Sequence, residues 1–130
     1  MNCLFDVNAL VALGFSHHEF HGRMAAWMQA ESPSLATCSI TELGFVRVLA
    51  QAPGYGVSLV QAETILQRLK KSRILSHWFI PDDHDISHLP EWVKTLKQTP
   101  DGHLVQLARS NGAVLAALDE HIPGAYLIPR

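Results

Sequence analysis

Ala113-Val114-Leu115-Ala116-Ala117-Leu118-Asp119 is the stretch that decides the fold. It is apolar throughout, has no polar face, and stops at a carboxylate. Asn111-Gly112 just before it is a helix stop. A short apolar run with a turn signal on its flank reads as a strand buried on both faces, here Val114 to Leu118. The same pattern stands at the other end of the chain, where Cys3-Leu4-Phe5 stops at Asp6. Two central strands that each end in an acid imply a sheet with carboxylates along one rim.

The segments between them are helical. Asn8 to Phe15 is a turn or short helix. Ser16 with Glu19 forms a capping box, and Phe20, Met24, Trp27 and Met28 follow at helical spacing, predicting a helix from about His17 to Glu31. Pro33 and Ser34 break the chain before a short strand, Leu35 to Thr37. Ser39 with Glu42 is a second box, leading into Ile40, Leu43, Val46, Leu49 and Ala50. A Pro/Gly loop, 52–56, precedes a third box, Ser58 with Gln61. That box opens a helix carrying Leu59, Ala62, Leu66 and Leu69 and ending in Arg68, Lys70, Lys71 and Arg73. A strand is expected near 74–80, a polar loop from Pro81 to Asp85 and a less regular helix from Pro90 to Lys97. Thr99-Pro100 starts another helix, and Ala125 to Ile128 is a last edge strand. Strands alternating with helices predict an α/β fold with a mainly parallel sheet covered on both sides. With no repeat and no linker, residues 1–130 are expected to form one domain.

The chain has 130 residues, of which 48% are hydrophobic. That suffices for a core without disulfide or metal staples. Charged residues are only 17%, against roughly 25% in an average globular protein. Some apolar surface is therefore expected to meet a partner. The net charge of −2 excludes a general basic nucleic-acid coat; contact with a polyanion must be local or helped by cations. Cys3 and Cys38 read as buried reduced thiols. No basic segment precedes the first apolar run, and no run approaches the roughly 18 residues of a membrane span. The expectation is a soluble, cytoplasmic protein with no membrane contact.

Four acids can converge at the strand rim. Asp6 and Asp119 end strands; Glu42 and Asp101 lie in first turns of helices that start there. In open α/β sheets ligands bind at the carboxyl ends of strands. A cluster of carboxylates needs cations to stay ionised, and hard oxygen donors suit Mg2+ or Mn2+. Such a site can activate water against a phosphodiester. Each acid alone also has an ordinary structural reading: Glu42 as part of a capping box, Asp101 as a helix-dipole acid, Asp6 and Asp119 as turn residues.

Taken in order, these residues resemble the PIN-domain family, especially VapC-type toxins. Phe5-Asp6-Val7-Asn8-Ala9-Leu10 is similar to its opening D-x-N-x-L. Thr41-Glu42-Leu43-Gly44-Phe45-Val46-Arg47 resembles the second motif, and Trp78-Phe79-Ile80-Pro81-Asp82-Asp83 a segment of one VapC group. Thr99-Pro100-Asp101-Gly102-His103-Leu104 and Leu115-Ala116-Ala117-Leu118-Asp119 resemble the third and fourth. The ordered set spans the whole chain. The resemblance implies a three-layer α/β/α sandwich with about five strands. It also implies an endoribonuclease dependent on Mg2+ or Mn2+, the toxin of a toxin–antitoxin pair. Asp6, Glu42, Asp101 and Asp119 match the catalytic, metal-holding acids. Asn8, Thr41, Arg47 and Thr99 are candidate neighbours of the metal or the RNA. The implied partners are RNA, a cognate antitoxin and a second copy in a homodimer. The helices of Met24, Trp27 and Met28, and of Leu59 to Leu69, are candidates for those contacts. Pro100-Asp101-Gly102 departs from the family pattern, where a helix former is commoner after the acid. So does His121, where a basic residue is frequent.

Other readings are weaker. A catalytically silent PIN-like interaction module would not need four acids. A phospho-acceptor receiver domain needs a Lys near its last strand, and Ala113 to Arg130 has none. Among eight histidines, His17 and His21 have metal-capable spacing on a helix but no third ligand nearby. His103 is within reach of RNA or solvent. The Arg68 to Arg73 cations either pair with a helix C-terminus or contact phosphate. There is no nucleotide-cofactor loop.

Overall fold

A computed structural model describes residues 1–130. Five strands make one sheet: β1 (Asn2–Phe5), β2 (Ser34–Thr37), β3 (His77–Phe79), β4 (Val114–Ala117) and β5 (Tyr126–Leu127). Their order is β3-β2-β1-β4-β5, and every neighbouring pair is parallel. The helices are α1 (Val7–Gly14), α2 (His21–Glu31), α3 (Ser39–Gln51), α4 (Leu59–Lys71) and α5 (Thr99–Ser110). β1 is central: Leu4 pairs with Ala36 on one side and Leu115 on the other.

Side-chain alternation sorts β1 onto two cores. Cys3 and Phe5 join Leu35, Leu10, Met24, Phe45, Leu49 and Leu66, so α1 to α4 cover one face. Leu4 joins Ala36, Leu115, Ala117, Leu104 and Leu107, so α5 covers the other. Each fully buried Leu or Phe contributes about 1.5–3 kcal/mol of transfer free energy. Both faces are dry, which is why neither β1 nor β4 carries a polar residue between its ends. The result is a three-layer α/β/α sandwich.

Three local expectations change. The second helix starts at His21, not His17: the Ser16–Glu19 box does not form. Instead the His18 N–H donates to the Phe15 carbonyl (3.0 Å) and the Phe20 N–H to His18 Nδ1 (3.0 Å). Phe15 packs edge-on to Tyr55 at 4.7 Å, holding this turn against the core. His17 therefore lies outside the helix that carries His21, and the two do not share a helix face. Pro90 to Lys97 is irregular, closing in a 3-10 turn at Leu96–Gln98. There Gln98 Oε1 accepts the N–H groups of Lys94 (2.7 Å) and Thr95 (3.1 Å), satisfying backbone that a helix would otherwise pair. Finally, Met24 and Trp27 are core residues, not interface residues, at 0% and 4% exposure.

No helix is long and apolar enough to cross a membrane.

Candidate metal centre at the strand ends

The parallel sheet brings every strand's carboxyl end to one rim. Asp6 follows β1 at the N-cap of α1; its N–H donates to the Ala116 carbonyl of β4 at 3.0 Å, and its carboxylate, beside the Val7 N–H, does not form the usual cap bond deeper in the first turn. Asp101 lies in the first turn of α5. Asp119 follows β4 by two residues, its Oδ1 accepting the His121 N–H at 2.8 Å.

These three acids are close enough to act on one another. Burial pushes the Asp6 carboxyl up to about 6, opposed by a hydrogen bond from the Val7 N–H and reinforced by the charges of Asp101 and Asp119. Burial and the Asp119 charge also raise Asp101 above the ordinary range. No Lys or Arg forms an ion pair with any of the three. Negative charge is thus concentrated here without a protein cation, and the donors are hard oxygens, a fit to Mg2+ or Mn2+. The side chains are not gathered into a ready-made cage of three or more ligands. Closing one around an ion takes rotamer adjustment, which Asp119, half exposed, has room to make.

Glu42 is placed differently. It lies in the first turn of α3, but both its oxygens face Lys70 of α4, at 3.1 Å (Oε1) and 2.9 Å (Oε2). The Thr37 hydroxyl at the end of β2 donates to Glu42 Oε2 at 2.6 Å, and His77 Nε2 of β3 lies 2.8 Å from the same hydroxyl. Thr37 has one proton and gives it to Glu42. His77 must therefore donate from Nε2, which fixes its tautomer. Burial and the Lys70 charge push the His77 pKa down, against the pull of Glu42. The Lys70 ammonium also sits 5.8 Å from the Phe79 ring centroid.

The neighbours fall into two groups. Asn8 and Arg47 are exposed on α1 and α3. Thr41 and Thr99 serve the backbone. Buried Thr41 accepts the Cys38 N–H at 3.0 Å, so the box at the start of α3 is Cys38 with Thr41 rather than Ser39 with Glu42. Thr99 is the first helical residue of α5, not its cap, and donates to the Leu96 carbonyl at 2.7 Å. Gly102 explains its own departure from the family pattern. A Cβ there would crowd Val93 Cγ2, so the loop carrying Pro90 and Val93 packs onto α5 only with glycine after Asp101. Gly44 plays the same part between α3 and α1, where a Cβ would meet Val7 Cγ2 at 2.5 Å.

Comparison with known proteins bears on this arrangement. No family model matches the chain. Ribonuclease VapC38 of Mycobacterium tuberculosis is 35% identical, over 89% of this chain and 84% of that protein. Ribonuclease VapC29 of the same species is 33% identical, over 99% and 98%. The chain belongs to the VapC ribonuclease family. The fold agrees with two solved structures. One is VapBC2 of Rickettsia felis bound to a DNA fragment from its promoter (TM-score 0.60, 14% identity, 98% of this chain and 97% of that one). The other is Mycobacterium tuberculosis VapC20, a Sarcin-Ricin loop cleaving toxin (TM-score 0.54, 14% identity, 90% and 91%).

Sequence reasoning missed two residues of this VapC chain. Lys70 was visible only as one of four cations at a helix end. His77 carried no signal, because its partner Thr37 lies on a neighbouring strand 40 residues away. His103, expected within reach of RNA or solvent, meets Asp82 with its imidazole at 2.5 Å. Burial works to raise Asp82, but the hydrogen bonds from His103 and the His84 N–H outweigh it and hold the carboxyl low.

Proposed function

We propose that this VapC protein is an endoribonuclease dependent on Mg2+ or Mn2+, acting as the toxin of a toxin–antitoxin pair through Asp6, Asp101 and Asp119. The observation that carries the reading is the uncompensated charge of those three carboxylates at the rim of a VapC fold. They would hold the ion. When bound, a divalent ion supplies a Lewis acid that offsets phosphodiester charge and lowers the pKa of water.

The chain's own residues do the rest. Asp6, backed by the dry core under β1, has a poorly hydrated carboxylate that burial pushes up to about 6, so that near neutral pH it is ionised and gains from a cation. Asp101 is fixed by the packing of Gly102. Asp119, half exposed, is the most adjustable ligand. Glu42 stands on the same rim at the end of β2, held by Thr37 and Lys70. The partners are RNA, a cognate antitoxin that sets a basic side chain near Asp6 and Asp101, and a second copy of this chain. An RNA substrate makes the cytoplasm its place of work, and residues 1–130 act as one domain.

Purified protein freed of any partner should cut structured RNA with Mg2+ or Mn2+ and stop with EDTA. Cleavage that survives EDTA ends the metal reading.

A further inference from the structure

We propose that Lys70 is a substrate-binding residue of this site. Glu42 holds its ammonium at the rim for a phosphate of the RNA flanking the scissile bond. The inference rests on the ribonuclease reading above and adds a residue to it.

Four cations crowd the end of α4: Arg68, Lys70, Lys71 and Arg73. A helix C-terminus alone would explain them. Lys70 is different, because it alone of the four is turned into an ion pair, and that pair lies at the strand ends. Its ammonium bridges the first turn of α3 and the aromatic ring that ends β3. Glu42 is itself locked by Thr37, whose hydroxyl is backed by His77. The chain Lys70–Glu42–Thr37–His77 fixes an otherwise flexible side chain at the ends of β2 and β3, on the same rim of the sheet as the three acids. An ammonium has three donors and a carboxylate has two oxygens, so one N–H remains for a further acceptor. The Lys70 side chain keeps 21% exposure, enough to admit one. The acceptor this site calls for is an anion: the protein carries net charge −2 and three uncompensated acids, yet its substrate is a polyanion. Lys70 gives that backbone a fixed positive contact on the β2–β3 side of the rim, and Phe79, 42% exposed, offers a face for the adjoining base.

The test uses a fluorescein-labelled RNA hairpin, followed by anisotropy in EDTA so that it stays intact, with Mn2+ affinity measured separately by electron paramagnetic resonance. Lys70→Met should weaken RNA binding about tenfold. It should reduce the slope of log Kd against log salt by about 0.7, one phosphate contact on a single strand. Mn2+ affinity should be unchanged. Lys70→Arg should keep most of the binding. Lys71→Met, which removes an equal charge from the same helix end, should cost much less. Glu42→Gln should weaken RNA binding while leaving Mn2+ affinity at the wild-type value. Equal losses from Lys70→Met and Lys71→Met, or an unchanged salt slope in Lys70→Met, overturn the proposal. So does a fall in Mn2+ affinity in Glu42→Gln as large as that in Asp101→Asn, which would make Glu42 a metal ligand and Lys70 only its counter-ion. Asp101→Asn with intact Mn2+ affinity strikes the metal centre instead, and leaves the RNA-binding comparison to be read by itself.

Discussion

Asp6 shows how a site residue works against the fold that carries it. Its carboxyl binds a proton more tightly in the folded chain, at about 6, than in the unfolded chain, near 3.9. Protonated Asp6 therefore contributes stability that is fully present below about pH 4 and lost as pH rises through about 6. At neutral pH the ionised group costs up to about 3 kcal/mol. Asp6→Asn should accordingly be more stable than wild type at pH 7, equal to it near pH 4, and inactive on RNA. Mg2+ should close the gap by stabilising wild type alone. Urea denaturation at both pH values, with and without Mg2+, checks this; an Asp6→Asn variant no more stable than wild type at pH 7 removes the account of a buried carboxylate that strains the fold.

At the scale of the element, α5 is positioned by what is missing from it. Its glycine after Asp101 lets Val93 and Pro90 pack against the helix backbone. Gly102→Ala should cost about 1–3 kcal/mol through overpacking and weaken Mn2+ binding, because Asp101 shifts with its turn. Val93→Ala in the same chain should restore part of both, read by thermal melts and Mn2+ titration. A Gly102→Ala protein as stable as wild type would show that the loop yields freely. The elements themselves were largely legible in the sequence. β1 and β4 announce themselves as apolar runs ending in acids, and Ser58 with Gln61 forms the box its spacing predicts, at 3.1 and 2.9 Å. Ser39 with Glu42 had the same spacing and forms none, because one residue upstream Cys38 takes the cap and frees Glu42 for Lys70. Local spacing cannot report a competing partner 28 residues away. The start of α2 was misplaced for a similar reason: Tyr55, distant in sequence, holds Phe15 and the turn behind it. Of the candidate site, the positions of Asp6, Asp101 and Asp119 followed from topology, and the separate state of Glu42 did not.

For the whole molecule, the low charge content goes with apolar side chains left exposed, two of them adjacent on one helix. Met24 and Trp27 are spent on the core, whereas Leu59 and Val60 at the start of α4 are 55% and 71% exposed. A homodimer burying on the order of 1,200–2,000 Å2 in total should use that end of α4. Val60→Glu should shift light scattering across a dilution series toward monomer without lowering the melting temperature; a wild type that is monomeric throughout, or a profile that Val60→Glu leaves unchanged, removes this end of α4 as the interface. The strand order has a further consequence, for timing. β1 is made first but is central, and its partner β4 lies more than a hundred residues later. At about 5–20 residues per second, a ribosome takes on the order of 5–20 s to supply it. Until then Asp6 has neither the β4 carbonyl that anchors its backbone nor the two acids that crowd it. The nascent chain therefore acquires its assembled rim of acids only near the end of its synthesis. A partner that must meet the chain before the rim closes has that interval in which to do so.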